Sequence, residues 1–139
     1  MNKIERMKLS IIRTCVERCY DATIDQNTRV MKVAMARKVF WYLARNYTPG
    51  VTLLELAEYA NRCNHATVIN GINKVKGYID TDRHFREIML SLINEMSHAG
   101  MDAPPGIMLI RDRISKFNPI PMIDYKSMCE RLGVRYTSL

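Results

Sequence analysis

Apolar residues recur along most of this chain at steps of three and four, the spacing of one face of an α-helix. The first such stripe is Ile4, Met7, Ile11, Cys15, Val16 and Cys19, which predicts an amphipathic helix over Ile4–Tyr20. Asp25-Gln26-Asn27-Thr28 breaks it. A second helix, Arg29–Asn46, turns Val33, Ala36, Val39, Phe40, Leu43 and Tyr47 toward a core, with its basic residues on the other face, and Pro49-Gly50 ends it. Thr52-Leu53-Leu54-Glu55 has the form of a capping box and opens a short helix, Leu53–Ala60, with Leu53, Leu56, Ala57 and Ala60 inward. After Asn61-Arg62-Cys63-Asn64, a helix over His65–Tyr78 presents Val68, Ile72, Val75 and Ile79 inward. Asn64 serves as its N-cap, and Thr67, Asn70, Asn73 and Lys74 face solvent. A fifth helix, Asp82–Ser97, carries Phe85, Ile88, Met89, Leu92 and Met96.

Beyond residue 97 the pattern weakens. Gly100, Pro104, Pro105, Gly106, Pro119 and Pro121 punctuate the chain, Ile107-Met108-Leu109-Ile110 reads as a strand or a clamped arm, and Tyr125–Leu132 allows two helical turns. The expectation is an all-α domain of about five helices over residues 4–97, followed by an irregular extension, residues 98–139. That extension has too much apolar surface to leave in water, so it packs on the domain or serves as an oligomerisation arm.

Composition sharpens this picture. Of 139 residues, 47% are apolar and 25% charged, the balance of a globular chain and not of a disordered one. Lys and Arg number 21 against 14 Asp and Glu, a net charge of +7 that suits a polyanionic partner. Five cations, Arg29, Lys32, Arg37, Lys38 and Arg45, fall between Thr28 and Arg45 with no acid among them. Cys15, Cys19, Cys63 and Cys129 form no CxxC pair and read as small apolar packers, so no metal site is expected. There is no G-x-x-x-x-G-K-[ST] loop and no Gly-rich strand-to-helix turn, so no cofactor, no catalytic residues and no enzyme activity are expected. No run reaches the roughly 18 apolar residues of a membrane span, and no targeting segment is evident, so the expectation is a cytoplasmic protein with no membrane partner.

Residues 53–78 have the form short helix, tight polar turn, second helix with a polar outer face. A DNA major groove admits one such helix, read by its first residues. Ala36-Arg37-Lys38-Val39, Tyr42-Leu43-Ala44-Arg45, Leu53-Leu54-Glu55-Leu56-Ala57, the run from Asn64 through Gly71 and Lys74-Val75 carry a resemblance to a family. Residues 11–97 resemble the C-terminal DNA-binding domain of the bacterial chromosomal replication initiator DnaA, a Trp-repressor-like helix-turn-helix. The resemblance implies base contacts from Asn64, His65, Ala66 and Thr67, and DNA-backbone contacts from Arg37, Lys38, Arg45, Arg62, Asn70 and Lys74. Trp41 and Tyr42 are expected to pack in the core, and Gly71 to mark a close helix crossing.

The chain departs from the family pattern where Ala66 replaces a hydroxyl residue, Asn64 replaces the usual Asp, Cys63 takes a basic position beside Arg62, and Ala60 replaces a larger apolar residue. The function so implied is double-stranded DNA binding, sequence-specific, in replication control or transcription regulation and without ATPase activity. The chain reads as a detached DNA-binding domain of the kind a phage or mobile element encodes. A homodimer and a host replication protein are further candidate partners. The alternative is a protein-binding adaptor or inhibitor acting on host replication or regulatory machinery.

Overall fold

A computed structural model describes residues 1–26, 30–60 and 64–117, and all statements of structure concern these. Arg29, Arg62, Cys63, Cys129 and the turns expected at Tyr125–Leu132 lie outside them. The described residues form six helices and no strand: α1 Lys3–Tyr20, α2 Met31–Tyr47, α3 Leu53–Ala60, α4 His65–Thr81, α5 Arg83–His98 and α6 Pro105–Phe117.

Every helix but α2, which follows Val30 without a side-chain cap, begins where a polar side chain or proline can satisfy or replace its free N–H groups. Asn2 and Glu5 close a reciprocal capping box on α1, with Oδ1 accepting from Glu5 N at 2.8 Å and Oε1 from Asn2 N at 3.0 Å. The expected box on α3 is present: Thr52 Oγ1 accepts from Glu55 N, and Glu55 Oε1 from Thr52 N, both at 3.1 Å. Asp82 caps α5 through Phe85 N at 3.1 Å.

Helix α2 is the centre of the molecule, in contact with α1, α3, α4 and α6. Val33, Ala36, Val39, Phe40, Leu43 and Tyr47 are buried as expected, but so are Trp41, Tyr42 and Ala44. Burial therefore surrounds most of the helix instead of one broad face, because partners cover it on several sides. Phe40 stacks on Tyr59 with ring centroids 5.4 Å apart, and Trp41 Nε1 donates to Leu56 O at 3.2 Å, tying α2 to α3.

Two expectations are corrected. On α1 the buried residues are Leu9, Ile12, Cys15 and Val16, whereas Ile4 is 61% and Met7 58% exposed and Cys19 is also exposed. Both 4-7-11 and 9-12-16 have helical spacing, so periodicity alone does not choose between them; docking against α2 and α5 does.

The segment after Pro104 is neither strand nor irregular arm. Pro105 starts α6, where its fixed φ suits a first helical turn, and Pro104 O accepts from Ile107 N at 2.9 Å and Met108 N at 3.1 Å. Ile107, Ile110 and Ile114 are buried, at steps of three and four, against α2 and α5. Arg113 Nη2 reaches Asp80 Oδ1 at 2.6 Å, joining α6 to α4. The methionines likewise divide: Met89, Met96 and Met101 fill the core, while Met7, Met31 and Met108 are exposed.

Candidate nucleic-acid interface

Helices α3 and α4 form the helix-turn-helix. Val68, Ile72, Val75 and Ile79 are buried along one side of α4, which sets its rotation. Asn64 is its N-cap: Oδ1 accepts from Thr67 N at 3.0 Å and from Thr67 Oγ1 at 3.1 Å. With the inner side anchored, Asn64, His65, Ala66 and Thr67 are all left exposed on the opening turn, and Asn70, Asn73 and Lys74 are exposed further along. The free end of a helix also favours anionic groups through its remaining N–H donors and its dipole.

Beside this turn, α2 and α4 enclose a groove of about 250 Å³. Its walls are Ala34, Arg37, Lys38 and Trp41 from α2 and Thr67, Asn70, Gly71 and Lys74 from α4. No carboxylate lines it. Burial, then Lys74, then Arg37 push the Lys38 ammonium below its ordinary lysine value, so its charge is held against local cost. Neither Lys38 nor Lys74 has an ion-pair partner among the described residues. Two ammonium groups without an ion-pair partner and a hydroxyl, beside the buried Arg37 guanidinium, thus share a groove with room for a phosphate.

The residues expected on the DNA backbone separate in the structure. Lys38, Asn70 and Lys74 come together in the groove. Arg45 does not line it: exposed near the end of α2, its Nη1 donates to Val51 O at 3.0 Å and holds the turn into α3. Arg37 is buried, 9% exposed, with Nε donating to Ile24 O at 3.0 Å and Nη2 to Gln26 O. It therefore belongs to the scaffold under the groove and not, as expected, to an exposed basic face. Arg62 lies outside the described residues. Ala34 and Trp41 are walls of the groove that sequence reasoning missed; the helical step from Ala34 through Lys38 and Trp41 is the signal that could have found them.

Gly71 sets the width of this groove. A Cβ there would stand 2.9 Å from Trp41 Cε3 and 3.2 Å from Lys38 Cγ. The indole is buried and hydrogen-bonded to Leu56, so it cannot swing aside. Gly71→Ala is expected to destabilise the fold by about 1–2 kcal/mol, overpacking outweighing the gain in helix propensity. Chemical denaturation checks this, and a variant as stable as the parent would show that α2 and α4 do not meet this closely.

Residues 14–75 match the bacterial dnaA protein helix-turn-helix. The match runs from within α1 into α4 and so takes in both walls of the groove and the exposed turn. The chromosomal replication initiator protein DnaA of Bacteroides thetaiotaomicron is 32% identical over 65 residues, 47% of this chain and 14% of that protein. The proteins of the same name from Borrelia turicatae and Borrelia hermsii are each 26% identical over 94 residues, 68% of this chain and 19% of theirs. The chain thus spans less than one fifth of the length of these relatives. No solved structure gives a significant match.

Residues 14–75 of this chain are thus similar to the helix-turn-helix of DnaA. Among the described residues, no helix is long and apolar enough to cross a membrane, and no group of three or more His, Cys, Asp or Glu is placed to hold a metal ion.

Proposed function

We propose that this protein binds double-stranded DNA sequence-specifically, with the N-terminal turn of α4 in the major groove, to control replication or transcription without ATPase activity of its own. The observation that carries the reading is the exposed Asn64–Thr67 turn beside an acid-free groove holding Lys38 and Lys74. Asn64, His65, Ala66 and Thr67 approach base edges, and Lys38 and Lys74 hold phosphates on either side of the groove. Arg45 and Arg62 are secondary backbone contacts. A cytoplasmic setting, where the chromosome is, follows from this reading.

The test is a fluorescence-anisotropy titration of the full chain with a duplex selected from a random library and with random duplex. Binding to both is expected to weaken by ~10-fold or more between ~50 and ~200 mM salt as counterions are released. His65→Ala is expected to cost about 1–3 kcal/mol on the selected duplex and almost nothing on random DNA, because only the specific complex uses a base-edge contact there. Equal losses on both would reduce α4 to a backbone clamp. Binding that is absent or indifferent to salt would reject the DNA reading in favour of a protein-binding adaptor acting on replication or regulatory machinery.

A further inference from the structure

The one amide oxygen and the one hydroxyl hydrogen in the opening turn of α4 are committed to its own cap. Asn64 Oδ1 receives both the N–H and the hydroxyl of Thr67. What this turn offers outward is the Asn64 Nδ2 donor, the lone pairs of Thr67 Oγ1, the methyl of Ala66 and the His65 ring. None of these sets a free donor and a free acceptor side by side in one plane. That fork is what the adenine edge requires, since it presents N7 as acceptor and N6–H₂ as donor.

The complete amide stands one turn further on. Asn70 follows Ala66 by four residues and Thr67 by three, so it lies on the same edge of the helix. It is exposed, it lines the groove between Thr67 and Lys74, and its amide has no hydrogen-bond partner among the described residues. Asn73 has the same side chain but does not line the groove. Along the helix axis Asn70 is about 4.5 Å beyond Thr67, little more than one base-pair rise of ~3.4 Å. Resting on the DNA reading above, we infer that Asn70 is a specificity-determining residue that reads an adenine through both amide atoms, one base step beyond the contacts of the capping turn. Its carbonyl accepts from N6–H₂ and its amide donates to N7. A phosphate contact would use only the donor and would set the amide oxygen against negative charge, whereas the adenine edge uses both. Lys74, four residues later, marks where α4 passes from bases to backbone.

The experiment uses the full chain and a duplex enriched from a random library. Each adenine of that duplex is replaced in turn by 7-deazaadenine, which deletes the N7 acceptor and keeps the base pair. At one position the replacement is expected to weaken the parent protein about 5- to 150-fold, the equivalent of ~1–3 kcal/mol. Asn70→Ala, an exposed helix position where alanine is well tolerated, is expected to lose the same factor on the unmodified duplex and to be indifferent to 7-deazaadenine at that position. An Asn70→Ala variant that weakens on selected and random duplex alike, or that keeps every adenine sensitivity of the parent, overturns the assignment while leaving the DNA reading intact. Failure to enrich any duplex, with binding indifferent to salt, overturns both.

Discussion

Arg37→Met is expected to lose about 2–4 kcal/mol of stability, measured by urea denaturation, while leaving the salt dependence of DNA binding unchanged. The guanidinium holds the loop between α1 and α2 at Ile24, a residue fastened from both sides. Its N–H donates to Glu17 Oε2 at 2.8 Å, and its carbonyl accepts from Arg37 Nε at 3.0 Å. Gln26 O accepts from Nη2 of the same side chain. Methionine keeps the packing of the aliphatic stem but leaves these carbonyls without their charged donor, and such hydrogen bonds contribute about 1.5–3 kcal/mol each to stability. Arg37→Lys is expected to fall between, since one ammonium lacks the planar fork that reaches two acceptors. A variant of parental stability whose salt slope drops by about 1 would instead return Arg37 to the phosphate backbone.

Replacing both Lys38 and Lys74 with alanine is expected to weaken binding to any duplex by about 10- to 100-fold near 0.1 M salt and to reduce the salt slope by about 2. Selected and random DNA are expected to lose equally, the reverse of the His65 result, because phosphates carry no sequence. Stability is expected to hold or to rise slightly. The folded value of Lys38 lies below its ordinary one, through burial first and then Lys74 and Arg37, so its charged form opposes folding at any pH below that value. Removing the charge relieves that opposition. A stability loss in the double variant, or a salt slope that does not move, would show that these ammonium groups are structural and meet no phosphate.

The parts of this fold legible in the sequence are those set within a turn or two of helix. The Thr52–Glu55 box and the Asn64 cap involve groups three residues apart, so residue type and spacing are enough to find them. The inward face of α4 was equally plain, because Val68, Ile72, Val75 and Ile79 form its dominant apolar stripe, and fixing that face leaves Asn64–Thr67 outward. Gly71 at a helix crossing was legible too, the one small residue on a side that the aromatic ring of Trp41 needs.

What the sequence determined by itself, then, is the set of helices through α5, the caps of α3 and α4, and the turn of α4 left exposed. Tertiary structure alone decided the rest. Helix α1 has two stripes of helical spacing, and only docking on α2 and α5 selects Leu9, Ile12 and Val16 over Ile4 and Met7. The segment after Pro104 reads as a strand or a clamped arm because proline and glycine crowd its start and leave only a short apolar run, Ile107–Ile110. Burying Ile107, Ile110 and Ile114 against α2 and α5 stabilises a helix there. Arg37 is indistinguishable from its basic neighbours until its acceptors, 13 and 11 residues away, are brought to it. The groove of Lys38, Asn70 and Lys74 exists only because α2 and α4, separate in sequence, lie side by side. Local hydrogen bonds and a single apolar stripe are properties of a segment, whereas the choice between two stripes, the burial of a charge and the meeting of two helices depend on what the rest of the chain places against them.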